Sequence, residues 1–173
     1  QSYKIVFLKM DIKSLSKKTL DFTVKRVAEI LGIGLISISV LLFVALFSYS
    51  PEDPNFIFSE NIVVNNLLGF KGSYTSDLFF QSIGLVSFLI SFTIFFTGIN
   101  LIKNKKFITI FENIFYSIIY SILGTLFLTT FYKDSFWLSI NGNGGFVGNF
   151  FQNTFLSSLI NLNTDISYYI LII

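Results

Sequence analysis

The feature that most constrains this chain is a long run without charge near its beginning. No charged side chain occurs from Ile30 to Pro51, a run of 22 residues that is almost entirely apolar. A helix rises about 1.5 Å per residue, so about 20 residues cross the hydrocarbon core of a bilayer, which is about 30 Å thick. Two prolines and two carboxylates, from Pro51 to Pro54, end the apolar run. The pattern predicts a membrane-spanning helix over residues 30–49.

The composition agrees with a membrane protein. Apolar residues make up 53% of the chain and charged residues only 13%, and the mean hydropathy is +0.71. The chain contains no cysteine and no histidine, which removes thiolate metal sites and the commonest general base. We therefore expect no catalytic residue, no cofactor and no metal in these residues. Because the chain begins at Gln1 and stops in an apolar run, we also expect it to be a fragment of something longer.

Three further spans follow from the same criterion. The long apolar stretches of residues 78–102 and 111–132 predict the second and third spans. Glu112 lies at one end of the third span. We interpret it as a charge at the membrane interface and not as a buried carboxylate that handles protons. A fourth span is predicted to begin at about residues 156–166, because Asp165 breaks a stripe of Phe151, Phe155 and Leu159 and an apolar run follows. The fold class is an all-α membrane protein with four transmembrane helices, the fourth truncated, and short amphipathic interfacial helices in the two external loops.

Basic residues predict the topology of these spans. Seven of the 12 Lys and Arg residues lie in residues 1–29 and three more in the turn of residues 103–106. By the positive-inside rule these segments are cytoplasmic, and residues 50–77 and 133–165 are external. We favour a flexible tail for residues 1–29 over a basic segment lying on the anionic leaflet. The chain thus divides into a basic cytoplasmic segment, residues 1–29, and a transmembrane anchor domain, residues 30–173.

Small residues recur at helical spacing in the second and third spans. Small side chains let helix backbones approach closely in lipid, where packing drives association. Chance recurrence in a serine-rich chain is the alternative. Phe88 is expected to face lipid. The residues proposed for helix packing are Gly84, Ser87, Ser91, Gly98, Ser117, Ser121 and Thr125.

The two external segments share a Gly-x-x-Gly element. Gly69-Phe70-Lys71-Gly72 and Gly145-Phe146-Val147-Gly148 each precede an amphipathic stretch, which predicts one hairpin unit used twice. Ser73 is expected to cap a short helix, with Tyr74 and Leu78 on the membrane interface. The glycine-rich run of residues 141–148 lacks the Lys-Ser/Thr of a phosphate loop and is interpreted as a turn.

Several of these motifs together resemble one family. The exit Ser48-Tyr49-Ser50-Pro51-Glu52-Asp53-Pro54, the pattern Asn66-Leu67-Leu68-Gly69-x-x-Gly72 and the pattern Asp77-Leu78-x-x-Gln81-x-x-Gly84 resemble the N-terminal membrane domain of the FtsK/SpoIIIE family of bacterial DNA translocases. The resemblance covers about residues 26 to 173. The loop residues that carry it are Ser48, Tyr49, Pro51, Asp53, Pro54, Gly69, Gly72 and Asp77.

The resemblance implies a function that the residues alone do not. It implies a multi-pass anchor in the bacterial inner membrane at the division septum, with a cytoplasmic N-terminus and a role in cell division and chromosome segregation. A hexameric motor that uses ATP and Mg²⁺ to pump duplex DNA would lie downstream, so no ATP or DNA contact is assigned to this chain. Implied partners are the lipid bilayer, further copies of the chain and other division proteins. The alternative is a small transporter or channel subunit, which the absence of charge from the middle of every span argues against.

Overall fold

The computed structural model describes residues 2–54, 63–132, 138 and 140–153, with side chains from Ser16 onward. Within these residues the chain is helical and contains no strand. A 3₁₀ turn, Gly84–Val86, joins the second helix to the third. The five α-helices are α1 (Ser2–Phe47), α2 (Gly69–Ile83), α3 (Ser87–Asn104), α4 (Ile108–Phe131) and α5 (Gly145–Gln152).

The first helix is much longer than the predicted span. α1 begins at Ser2 and continues through Phe47, so the expected flexible tail over residues 1–29 is wrong for the described residues. No glycine or proline occurs before Gly32, and Lys and Leu are good helix formers, so nothing in this segment interrupts the helix. The basic segment and the apolar span therefore form one continuous helix.

Three helical stretches are long and apolar enough to cross a membrane. They are Ser16–Phe47, Gly69–Asn104 and Ile108–Phe131, which agrees with the predicted all-α membrane fold. The fourth predicted span, with its beginning at residues 156–166, lies outside the described residues, as do Phe155 and Leu159.

A break at Gly84 separates α2 from α3. Gly84 has a φ of 58°, a left-handed conformation that glycine adopts without a steric penalty. A straight helix over 36 residues would measure about 54 Å, well beyond a hydrocarbon core of about 30 Å. The break therefore leaves α3 to cross the membrane and α2 to cover the end of the bundle. The predicted cap at Ser73 is wrong, because Ser73 lies inside α2 and Leu68 is the residue at its N-terminal boundary.

The bundle has two chemically different ends. We call the end where α1 stops and α2 starts the loop end, and the end with the α3–α4 turn the basic end. At the loop end, Leu42, Leu46, Phe80 and Leu138 form a buried cluster. At the basic end, the side chain of Glu29 on α1 forms ion pairs with Arg26 and with Lys105.

Phe88 is half-buried and packs against the buried cluster at the loop end, so the prediction that it faces lipid is wrong. Its ring centroid lies 6.0 Å from that of Phe43 and 5.6 Å from that of Phe80. The predicted small-residue face of α3 is buried, since Ser87, Ser91 and Gly98 all lie inside, and Phe88 packs at the edge of that face against α1 and α2. Leu89, the next residue, is 52% exposed instead.

Candidate functional site at the loop end of the bundle

The buried carboxylate of Asp53 organises the first loop. Asp53 is only 6% exposed, and its two carboxylate oxygens accept hydrogen bonds from the backbone N–H groups of Asn65, at 2.8 Å, and Asn66, at 2.9 Å. Bonds to an ionised acceptor are stronger than neutral ones. The Asp53 N–H itself donates to the carbonyl of Ser50 at 3.2 Å, which closes a turn containing the exposed Pro51. Asp53 thus holds the two ends of the first loop together.

The amide of Asn66 joins the loop to both neighbouring helices. Its Nδ2 donates to the carbonyls of Ala45, at 2.8 Å, and Ser48, at 3.3 Å. The same nitrogen lies 3.4 Å from the hydroxyl of Ser76 on α2, and the Asn66 Oδ1 accepts a bond from the backbone N–H of Leu68. The last carbonyls of a helix have no partner within it, so Asn66 caps α1 from a distant part of the chain.

Two glycines and a serine allow α2 to approach this cap. Gly69 has a φ of 63°, which lets the chain turn directly into α2. A Cβ on Gly72 would lie 2.0 Å from the Asn66 Oδ1, so no larger residue fits there. The Ser73 hydroxyl donates to the carbonyl of Pro54 at 2.6 Å. These contacts bring together the predicted loop residues Asp53, Pro54, Gly69 and Gly72.

Tyr49 and Asp77 form a second link between the end of α1 and α2. The Tyr49 hydroxyl donates to the Asp77 Oδ1 at 3.4 Å, and the same oxygen accepts a bond from Gln81 at 3.3 Å. Burial, reinforced by the negative charge of Asp77, raises the pKa of Tyr49 to about 12, so its hydroxyl stays protonated and remains a donor. Ser48 adds a further link, because its Oγ accepts a hydrogen bond from the backbone N–H of Leu67 at 3.1 Å.

The second loop binds to the break between α2 and α3. The backbone N–H of Leu85 donates to the carbonyl of Asn143 at 2.9 Å. A Cβ on Gly84 would lie 1.9 Å from that carbonyl oxygen. The side chain of Asn141 donates to the Gln81 Oε1 at 2.9 Å. The second loop therefore satisfies part of the backbone that the break leaves open.

The two Gly-x-x-Gly elements have the same geometry. Gly145, like Gly69, has a positive φ, 66°, and begins a helix. A Cβ on Gly148 would lie 2.0 Å from the Thr129 Oγ1, just as one on Gly72 would meet Asn66. In both elements the first glycine turns the chain, and the second admits a close neighbour.

Two of the proposed packing residues lie directly between α1 and α3. The Ser91 hydroxyl donates to the carbonyl of Ser39 at 3.0 Å, and the Ser39 hydroxyl donates to the carbonyl of Ser91 at 2.7 Å. A Cβ on Gly98 would lie 2.7 Å from the carbonyl oxygen of Gly32. Sequence reasoning missed Ser39 and Gly32. Their spacing of seven, which matches that of Ser91 and Gly98, is the signal that could have found them.

The remaining packing residues do not form a single seam. Gly84 meets the second loop, and the Ser87 hydroxyl donates to the Gly84 carbonyl at 2.6 Å. Ser117 donates to a carbonyl of its own helix, and Ser121 is half-buried. Thr125 is buried on α4, where its carbonyl oxygen would lie 2.6 Å from a Cβ on Gly148. Their contribution to helix packing stays a prediction.

α3 is held against α4 by polar side chains that were not selected from the sequence. The Thr93 hydroxyl lies 2.7 Å from that of Tyr120. The Asn113 Nδ2 donates to the Thr97 Oγ1, also at 2.7 Å. Hydrogen bonds of this kind help to hold membrane helices together.

In the part of the chain that the structure describes, no three acidic side chains come together so that they could hold a metal ion. The arrangement ties helices and loops into one unit.

Comparison with known proteins identifies the family. A family model described as the 4TM region of DNA translocase FtsK/SpoIIIE matches residues 24–173. A DNA translocase FtsK of Rickettsia bellii is 42% identical over 79 residues, which are 45% of this chain and 10% of that protein. One of Azospirillum brasilense is 33% identical over 78 residues, 44% of this chain and 12% of that protein.

These relatives are far longer than the matched region. A third, the DNA translocase FtsK of Bradyrhizobium diazoefficiens, is 29% identical over 83 residues, 48% of this chain and 10% of that protein. The chain thus spans about a tenth of the length of the curated relatives it matches. No solved structure matches it. Because the family model covers residues 24–173 of a helical, membrane-capable chain, the chain belongs to the family of the four-span membrane region of the DNA translocases FtsK and SpoIIIE.

Proposed function

We propose that this chain anchors an ATP-driven DNA translocase in the bacterial inner membrane at the division septum, where it acts in chromosome segregation. One observation carries the proposal: the match to the four-span family model covers residues 24–173, which include nearly all of the three membrane-capable helical stretches among the described residues. The matched relatives are named DNA translocases, and the matched part is about a tenth of their length. ATP, Mg²⁺ and duplex DNA would bind a motor that follows the anchor, and residues 1–173 would carry out no catalysis themselves.

The contacts of the bundle suit an anchor. A motor that pulls on DNA exerts an equal and opposite force on whatever holds it in the membrane. α1 is tied to α3 by the Ser39–Ser91 pair and to α2 by Asn66. The second loop is tied to the break at Gly84. Such ties between helices and loops resist separation of the spans under load.

The proposal includes an orientation and partners. The N-terminus and the basic end would face the cytoplasm, because ten of the 12 basic residues lie there: seven in residues 1–29 and three in residues 103–106. The chain would associate with further copies of itself, as a hexamer if it follows its motor. The loop end would face the opposite compartment and meet other division proteins.

A transporter or channel subunit has less support. Among the described residues, no charged side chain lies between Ile30 and Phe47 or between Ser87 and Ile102, and ion paths commonly use such groups at depth. Broken helices often mark substrate sites in transporters. Here, however, the second loop fills the break through the Asn143 carbonyl.

The anchor proposal can be tested by exchanging the membrane region. The full-length protein and a variant in which residues 24–173 are replaced by four unrelated spans are each fused to a fluorescent protein in cells depleted of their own translocase. We expect the native protein to gather at the septum and restore chromosome segregation, and the exchanged protein to spread over the membrane. Equal septal localisation and rescue by the exchanged protein would contradict the proposal.

A further inference from the structure

A cleft lies between α3 and α4 on one side of the bundle. Its volume is about 390 Å³, and its walls extend from Leu89 to Asn100 on α3 and from Asn113 to Tyr120 on α4. Aromatic rings, hydroxyl groups and side-chain amides line it together. We call this feature the α3–α4 cleft. Such a mixed lining suits an occupant that is itself part polar and part apolar.

The α3 wall of the cleft becomes more polar toward the basic end. Phe92 and Phe96 are 48% and 59% exposed. Asn100 and then Lys103 follow along the helix, and both are exposed. Residues at spacings of three and four share one face of a helix, so Lys103 continues the face that lines the cleft. One face of α3 thus passes from aromatic rings to an amide and then to a cation.

The polar groups deeper in the cleft already have partners. The Thr93 hydroxyl lies 2.7 Å from that of Tyr120. Toward the basic end, the side chains of Asn100 and Tyr116 are exposed and form no hydrogen bond with the described residues. The Cα–Cβ bond of Tyr116 tilts toward the start of α4, which lies at the basic end. The cleft therefore offers hydrogen-bond donors near its basic end and an apolar surface further in.

The charge at the basic end of the cleft is positive. Lys105 is engaged by the Glu29 carboxylate on α1. Lys103 and Lys106, before and after it in sequence, are exposed and form no ion pair with the described residues. Glu112, an exposed carboxylate on the second turn of α4, opposes them with a single charge. Two cations against one anion favour an anionic group at this end.

The length of the cleft matches one leaflet of a bilayer. From Leu89 to Asn100 the α3 wall rises about 16 Å, which is about half of a hydrocarbon core of about 30 Å. A partner's transmembrane helix would need a surface across the whole core, whereas a phospholipid needs one leaflet with a charged group at its outer edge. Basic pockets between membrane helices bind anionic lipid headgroups. Length and charge together favour a phospholipid.

We propose that the α3–α4 cleft binds one anionic phospholipid from the leaflet at the basic end. Its phosphate lies between Lys103 and Lys106. Its ester carbonyls accept hydrogen bonds from the Asn100 amide and the Tyr116 hydroxyl, and one acyl chain follows the aromatic wall of α3. The lipid fills the space that α3 and α4 leave between them. This site does not depend on the proposed role at the septum.

Photo-labelling in vesicles tests the site. The full-length protein is reconstituted in phosphatidylcholine vesicles with a trace of phosphatidylglycerol that carries a photoreactive group in its acyl chain. A parallel sample contains phosphatidylcholine with the same photoreactive chain, and mass spectrometry locates the labelled residues. We expect the phosphatidylglycerol probe to label residues 89–100 and 113–120 severalfold more than the phosphatidylcholine probe. Both probes should label Ile33 equally, because it is a 59% exposed position on α1.

Charge variants separate a specific site from general attraction to the protein surface. Lys103→Gln combined with Lys106→Gln should lower phosphatidylglycerol labelling of the cleft severalfold, to the level of the phosphatidylcholine probe. Glu112→Gln removes the opposing charge and should raise that labelling, which damage to the fold would not do. The matched control, Lys18→Gln combined with Lys25→Gln, removes the same charge from exposed positions on α1 and should leave the labelling unchanged.

Three outcomes would overturn the proposal. Equal labelling of the cleft by both probes would mean that bulk lipid fills it without selection. No labelling of the cleft by either probe, with labelling of Ile33 retained, would mean that a protein segment covers it. An equal loss of labelling from the control pair on α1 would mean that general surface charge, and not the two lysines at the cleft, attracts the lipid.

Discussion

At the residue scale, the loop end depends on a few polar side chains that are buried and fully engaged. Asp53 and Asn66 are 6% and 3% exposed. A buried polar group is costly unless it forms hydrogen bonds. Asp53 meets this condition through two backbone N–H groups, and Asn66 through contacts with α1 and α2. The exit motif therefore builds a cap over α1.

Replacing Asp53 should loosen this cap. Hydrogen bonds to charged groups contribute about 1.5–3 kcal/mol each, so we expect Asp53→Ala to lower the free energy of unfolding by about 3 kcal/mol. Asp53→Asn keeps one acceptor oxygen and should cost about half as much. Reversible unfolding in mild detergent measures the effect. Glu52→Ala is the matched control, because Glu52 is the exposed neighbouring carboxylate. Equal losses for Glu52→Ala and Asp53→Ala would rule out this role for Asp53.

At the element scale, α1 and α3 pair through small residues that repeat every seven positions. Gly32 and Ser39 on α1 meet Gly98 and Ser91 on α3. In lipid, such small residues let backbones come close, and cross-helix hydrogen bonds contribute about 0.6 kcal/mol on average. The pairing therefore draws most of its stability from close backbone contact.

Gly98→Ala should separate these helices. The added Cβ would lie 2.7 Å from the Gly32 carbonyl oxygen, and overpacking of this kind costs about 1–3 kcal/mol. Gly34→Ala is the control, because nothing lies within 4 Å of a Cβ at Gly34 and alanine favours a helix. We expect thermal unfolding in detergent to begin at a lower temperature for Gly98→Ala only. A comparable loss for Gly34→Ala would mean that general helix effects, not contact with α1, decide stability.

The elements also show which parts of the fold the sequence could predict. The three membrane-capable stretches among the described residues were predictable because a long run without charge is a local property of the sequence. The continuity of α1 was missed because basic residues were interpreted as a tail, although no residue there breaks a helix. Ser73 was misplaced because the helix begins at Gly69. Phe88 was misplaced because it contacts Phe43 and Phe80 at the edge of the small-residue face, and these contacts join residues far apart in sequence. The Gln81–Asn141 contact joins residues 60 positions apart, which no local pattern can indicate.

At the scale of the whole molecule, charge separates the two ends of the bundle. The basic end carries Arg26, Lys103, Lys105 and Lys106, and the Glu29 side chain ties α1 to the α3–α4 turn there. The loop end carries Glu52, Asp53 and Asp77 against the single basic residue Lys71 among its described residues. Positive segments are retained in the cytoplasm during insertion, so we expect this asymmetry to favour the orientation with the basic end in the cytoplasm.

That orientation can be measured with single cysteines in the cysteine-free chain. We introduce Asn104→Cys at the basic end, at the last residue of α3, and Glu52→Cys at the loop end, beyond the end of α1; both positions are exposed. A thiol reagent that cannot cross the membrane should label Glu52→Cys in intact spheroplasts and should reach Asn104→Cys only after the membrane is opened. Because ten of the 12 basic residues share the side of Asn104, reversing the topology would require translocating all of them. Labelling of Asn104→Cys, with protection of Glu52→Cys, in intact spheroplasts would overturn the expected orientation.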